Sequence, residues 1–240
     1  MVAEASVRHL IAEACRILAH AGLADDILGH VSLRTANGLA VRCRGEKEAG
    51  LLFTQPRDVH EVTPLAVLPP DYQAPNELPI HTEILAARPD VQAVVHAHPP
   101  FVVAADLAGI ALRPVIGAYN IPAMRLAAER IPIYGRSVLI STAELGRDLA
   151  QALGSAPAVL LRGHGIVTVG ATVQEAVVRA LNIEILAKML VRASARGTVD
   201  YEVDIDDRAT MPDLGTVFND LYVWQYQRER LRHSGLAISV

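Results

Sequence analysis

The stretch Val94-Val95-His96-Ala97-His98-Pro99-Pro100 decides the fold class and points to the chemistry. An apolar run beginning at Val91 leads into two histidines one residue apart, and two prolines close it. A short valine-rich run ended by proline reads as a buried strand. Alternate side chains of a strand share a face, with Cα atoms roughly 6–7 Å apart. His96 and His98 therefore aim at one point, Ala97 faces the opposite layer, and Pro99 ends the strand at a rim open to solvent. Two neutral imidazoles so placed suit zinc, manganese, iron or cobalt. The same H-x-H spacing also fits two partly exposed histidines at a strand end, so the neighbours decide.

Upstream, Pro75-Asn76-Glu77-Leu78-Pro79 opens a helix with Pro79 in its first turn, expected to end near Arg88 before Pro89. Glu77 is either a helix N-terminal glutamate favoured by the macrodipole or, beside an ion, a general acid or base whose pKa is raised by desolvation. Downstream, an apolar strand at 158–161 enters Gly163-His164-Gly165, a tight turn before a strand at 166–169. His164 reads as an ordinary turn histidine or as a third ligand. Three protein ligands with open positions form the catalytic pattern, because substrate or water must take the rest.

Elsewhere, residues 4–21 show helical spacing with Gly22 as C-cap. Strands at 28–34 and 39–42 flank the turn Ala36-Asn37-Gly38, and residues 50–54 read as a further short strand. A proline-rich passage covers 64–79, and helices are expected at 142–153 and 172–195. No βαβ rhythm or glycine-rich phosphate loop is present, so a mixed, largely antiparallel sheet covered by helices is expected rather than a dinucleotide-binding fold. With 240 residues, 51% of them hydrophobic, the chain suits one large domain spanning 1–240. A net charge of −4 without a long basic run argues against nucleic acid and anionic membranes as partners. Glu4, Arg8, Glu13 and Arg16 interrupt the N-terminal apolar pattern, which excludes a signal peptide, and no later run approaches a membrane span. Cys15 and Cys43 lack disulfide or metal spacing, which fits a cytoplasmic protein.

Taken together, GHVSLR (29–34), NELPIHTEILAARPDVQAVVHAHPP (76–100) and LLRGHGIVTVG (160–170) resemble the class II aldolase/adducin family. The resemblance runs from the first helix through the long helix near Glu184. It implies a three-layer α/β/α domain around a mostly antiparallel sheet, one divalent ion per subunit (Zn2+, Mn2+, Fe2+ or Co2+) on His96, His98 and His164, and Glu77 as the catalytic acid. It also implies a homotetramer with active sites at subunit interfaces. The family's sugar-phosphate aldolases hold phosphate with an asparagine in a glycine-asparagine-hydrophobic-serine segment, a threonine-proline-serine-glycine loop and a serine pair before the glutamate. Here those places read Gly29-His30-Val31-Ser32, Thr54-Gln55-Pro56-Arg57 and Pro75-Asn76. A phosphate dianion needs several N–H and hydroxyl donors, and these substitutions remove them.

A metal centre kept while a phosphate cradle is lost resembles the family's decarboxylase branch, which acts on hydroxylated aromatic or pyridine carboxylates. A dihydroxyphthalate-type substrate giving a dihydroxybenzoate and CO2 is the expected case. The alternative is an aldolase acting on a non-phosphorylated hydroxy-keto substrate. Glu77, protonated, is expected to deliver a proton to the ring carbon bearing the carboxylate, after which CO2 leaves. His30, Asn76, Arg57 and Arg162 are the candidate substrate-binding residues, although a histidine satisfied within the sheet and solvated arginines fit equally simple roles. His81, one helical turn beyond Glu77, reads as structural. The late aromatics Phe218, Tyr222, Trp224 and Tyr226 belong to a tail from about 215 to 240 that packs on its own core or closes a neighbouring subunit's site.

Overall fold

The structure is a computed structural model that describes residues 4–63, 67–195 and 197–238. Part of the proline-rich passage, residues 64–66, lies outside the described residues. The helices are α1 (Glu4–His20), α2 (Leu78–Ala87), α3 (Pro100–Leu107), α4 (Ile121–Ala128), α5 (Ala143–Leu153), α6 (Val173–Ser194), α7 (Ile205–Thr210) and α8 (Val223–His233). The strands are β1 (His30–Arg34), β2 (Leu39–Arg42), β3 (Arg44–Gly45), β4 (Val59–Val62), β5 (Tyr72–Gln73), β6 (Ala93–Ala97), β7 (Ile133–Tyr134), β8 (Ala158–Leu161) and β9 (Gly165–Gly170).

Seven strands form one sheet in the order β4-β2-β1-β6-β9-β8-β7, in which only the β7–β8 pair is parallel; β3 and β5 pair separately. Both faces are covered. Ile11, Ile17 and Leu18 of α1, Val102 of α3 and Val177 and Ile183 of α6 pack with Val31, Val95 and Ile166 on one side. Ile80 and Ile84 of α2 and Leu149 and Leu153 of α5 pack with Val41, Val94 and Val167 on the other. Burial on both faces explains why the central strands read as continuous apolar runs rather than alternating ones. The result is the expected three-layer α/β/α arrangement with a mostly antiparallel sheet.

The 50–54 run is not a strand. Leu51–Phe53 forms one 3-10 turn after Gly50 at φ 89°, with Leu51 buried beneath α1. The prolines after β6 do not merely stop it, because Pro100 begins α3, where a first-turn proline lacks only an N–H the helix would leave unpaired.

Two close approaches set the geometry around the histidines. A Cβ added at Gly146 would lie 2.6 Å from Pro79 O, so the glycine lets α5 close on the first turn of α2, beside Glu77. A Cβ added at Gly165 would lie 2.3 Å from Ala97 O and 3.1 Å from His98 Cδ2. Gly165→Ala must therefore part β6 from β9 at their histidine-bearing ends. It should cost roughly 1–3 kcal/mol of stability and most of the bound metal, as read by thermal melts and elemental analysis.

Candidate metal centre

β6 carries His96 at its last but one residue, and His98 follows just beyond the strand. Their rings still converge, with centroids 4.8 Å apart, and the His164 ring lies 4.9 Å from His96 and 4.8 Å from His98. His164 reaches the cluster from the β8–β9 turn, where Gly163 adopts φ 60°. Glu77 joins from the N-cap of α2. One donor atom from each of Glu77, His96, His98 and His164 lies within 4.8 Å of the others. Glu77 and His96 are buried, while His98 and His164 are partly accessible, so the cluster opens on one side.

Hydrogen bonds fix which atoms face inward. His96 Nδ1 sits 3.0 Å from the Ile166 carbonyl, which only accepts, so Nδ1 carries the proton and the Nε2 lone pair points into the cluster. His96 Nε2 is 2.9 Å from His98 Nε2 and 3.4 Å from Glu77 Oε2, and His164 Nε2 is 3.7 Å from the same carboxylate oxygen. Donors bound to a shared tetrahedral ion at 2.0–2.1 Å stand about 3.4 Å apart. The donor set, spread from 2.9 Å to no more than 4.8 Å, lies around that spacing and suits a divalent ion. Burial, with like charges nearby, lowers the pKa of His98 to about 3 and lowers that of His164, so both are neutral, as ligation requires.

Glu77 differs from the sequence expectation in one respect. Burial pushes its pKa up, but the adjoining His96, the Ile140 N–H bonded to Oε1 at 2.9 Å and the nearby His164 outweigh it, and the carboxyl is held at about 2. The resting group is a carboxylate, tethered by one oxygen with the other turned to the histidines.

The remaining candidates separate. His30 pairs across the sheet with His96, their rings 5.0 Å apart, and its Nδ1 lies 2.7 Å from His81 Nε2. Asn76 is exposed beside Glu77. Arg162 turns instead to Asp106, at 3.3 Å. Arg57 is exposed over a different cavity, lined by Arg42, Glu48, Asp58 and Tyr72 among others. In that loop Asp58 accepts the Gln55 N–H at 2.7 Å, so a carboxylate already occupies a donor a phosphate would need.

Asp106 escaped the sequence reading. Nearly buried on α3, it accepts the Gly163 N–H at 2.7 Å and so holds the turn that presents His164. No motif links residues 57 positions apart; an aspartate in an otherwise apolar helix was the one available sign. Asp106→Ala should weaken metal binding by about 10- to 100-fold, whereas Asp106→Asn, which keeps an acceptor for Gly163, should lose far less, both read by metal titration.

His81 is fully buried, and burial lowers its pKa to about 3. Unfolded histidine titrates near 6.5, so between about pH 6.5 and 3 the unfolded chain binds more protons, and stability falls as pH falls. His98, also at about 3, acts in the same direction. Melts of the metal-free protein should drop steadily across that window; a pH-independent Tm would contradict the assignment.

The late aromatics divide. Trp224 and Leu231 are buried in the α1-side core, and Arg228 pairs with Glu13 at 2.7 Å. Phe218, Tyr222 and Tyr226 remain exposed.

The chain matches the family described as Class II Aldolase and Adducin N-terminal domain over residues 9–191. It is 47% identical over 234 residues to a 3,4-dihydroxyphthalate decarboxylase from Arthrobacter keyseri, covering 95% of this chain and 94% of that protein. A protein of the same description from Terrabacter sp. (strain DBF63) is 45% identical, covering 95% and 98%. Among solved structures, an aldolase II superfamily protein from Pseudomonas syringae shares the fold with a TM-score of 0.80 at 20% identity, covering 99% of this chain and 96% of that one.

Proposed function

Since this chain belongs to the class II aldolase and adducin N-terminal domain family, we propose that it is a metal-dependent carboxy-lyase that converts a dihydroxyphthalate-type substrate to a dihydroxybenzoate and CO2. The observation that carries the reading is near-full-length identity of 47% and 45% to two 3,4-dihydroxyphthalate decarboxylases. Carboxylate occupation of the Gln55 N–H supports it, since a phosphate-binding loop would keep that donor free.

His96, His98 and His164 are the residues that would hold the ion, with zinc, manganese, iron and cobalt all compatible with three imidazoles and open positions. Such an ion supplies Lewis-acid stabilisation of the negative charge that develops on a substrate oxygen. Glu77, ionised at rest, takes the proton of the hydroxyl beside the departing carboxylate. It returns that proton to the ring carbon bearing the carboxylate, giving a β-keto acid. The C–CO2 bond then breaks, its electron pair re-forms the aromatic oxyanion, and the carbon keeps the new hydrogen. His30, whose ring stands 5.0 Å from His96, and Asn76, next to Glu77 in the chain, are the residues assigned to hold a substrate carboxylate or hydroxyl. Arg57, exposed over a different cavity, and Arg162, turned to Asp106, are left out of this assignment.

The chain is read as one domain of this family with a tail from about residue 215, in a homotetramer with sites at subunit interfaces. Exposed Phe218, Tyr222 and Tyr226 suit such an interface. A cytoplasmic location is supported by two free, buried cysteines whose thiol pKa values burial raises to about 12 and 11. Among the described residues no helix is long and apolar enough to cross a membrane. The test is a panel of hydroxylated aromatic carboxylates and non-phosphorylated hydroxy-keto compounds, assayed for CO2 and for aldehyde. CO2 from the aromatic acids is expected; aldehyde without CO2 would instead establish an aldolase.

A further inference from the structure

Ser32, His81 and His30 form one buried file ending at the cluster. Ser32 Oγ lies 2.6 Å from His81 Nδ1, and His81 Nε2 lies 2.7 Å from His30 Nδ1. Ser32 and His81 are fully enclosed, and His30 nearly so. Among the described residues, His81 Nδ1 is the one acceptor in reach of the Ser32 hydroxyl. A buried hydroxyl proton left without an acceptor is strongly disfavoured, so Ser32 donates to Nδ1. A neutral imidazole carries a single N–H. The proton of His81 therefore sits on Nε2 and is donated to His30 Nδ1, and the proton of His30 must in turn sit on Nε2. Among the described residues that nitrogen has no hydrogen-bond partner, and it is not sealed from solvent.

The consequence concerns a fourth imidazole. The His30 ring stands 5.0 Å from His96, almost the spacing of His98 (4.8 Å) and His164 (4.9 Å). Yet a nitrogen that carries a proton offers no lone pair to an ion and cannot act as a base. It can only donate.

We propose that Ser32 and His81 are positioning residues that lock His30 as a one-way hydrogen-bond donor, keeping it out of the metal shell and selecting a substrate oxygen that only accepts, a carboxylate or phenolate. The substrate half of this inference rests on the decarboxylase reading; the tautomer half does not.

The test uses zinc-loaded protein carrying 15N-histidine, with long-range 1H–15N spectra reporting which nitrogen of each ring is protonated. Wild-type His30 and His81 should both be Nε2–H forms. In Ser32→Ala both rings should shift toward Nδ1–H, and affinity for the dihydroxybenzoate product should fall about tenfold with zinc content unchanged. An Nδ1–H form of either ring in the wild type, or unaltered tautomers and affinity in Ser32→Ala, would overturn the lock. His30→Gln separates the two halves. If it leaves product affinity unchanged, the selection of an accepting oxygen falls; if the wild type releases no CO2, the decarboxylase reading falls. In either case the wild-type spectra still decide the tautomer lock.

Discussion

Replacing His96 by alanine is expected to abolish metal retention and CO2 release together. His96 is fully buried, its Nδ1–H is anchored to the Ile166 carbonyl, and its Nε2 lies within 3.4 Å of both His98 and Glu77 donor atoms. Neither neighbouring imidazole can replace it: His98 already faces the same centre, and His30 is held by His81. Metal affinity should fall by more than the 10- to 100-fold typical of losing a supporting partner. The fold should persist, because β6 keeps its antiparallel registers with β1 and β9. Elemental analysis after gel filtration, with circular dichroism as the control, checks this. Stoichiometric metal in the variant would remove His96 from the ligand set.

Glu77→Gln should produce the opposite division, with metal retained and turnover reduced by about 10²- to 10⁴-fold, the usual contribution of a positioned acid–base group. The amide oxygen can still accept the Ile140 N–H, so the side chain stays in place. What disappears is a site that can both take and return a proton. The carboxyl is held at about 2 in the wild type, so it begins the cycle ionised, and an amide cannot reproduce that state. Single-turnover CO2 release measured beside metal content separates the outcomes. Turnover within a few-fold of wild type would refute the proton-shuttle role.

The centre was legible in the sequence to the extent that its parts are local. His96 and His98 announce themselves by strand spacing, and His164 by the two glycines around it, although their reasons differ. Gly163 takes a left-handed conformation, whereas Gly165 leaves room for the Ala97 carbonyl. The helix start around Pro79 followed from its proline, and the helices expected from 142 and 172 are present, with Thr142 and Thr172 as N-caps accepting N–H bonds. Short apolar runs were less readable. The 50–54 run carries no periodicity that separates a strand from a buried turn, and the left-handed Gly50 settled it as a turn. Pairings across long separations left no local trace. Asp106 with Gly163, Ser32 with His81, and Ile140 with Glu77 are juxtapositions made by the sheet and its helices. The depressed pKa of Glu77 was hidden for the same reason. Its burial was foreseeable, but the groups that outweigh burial come from distant segments.

The most direct measurement is CO2 released from 3,4-dihydroxyphthalate by metal-stripped protein before and after one equivalent of a divalent ion per subunit. The account predicts almost no CO2 from the stripped protein, and one CO2 and one dihydroxybenzoate per substrate after reconstitution. An undiminished rate from the stripped protein, or no CO2 from a fully loaded one, would contradict it.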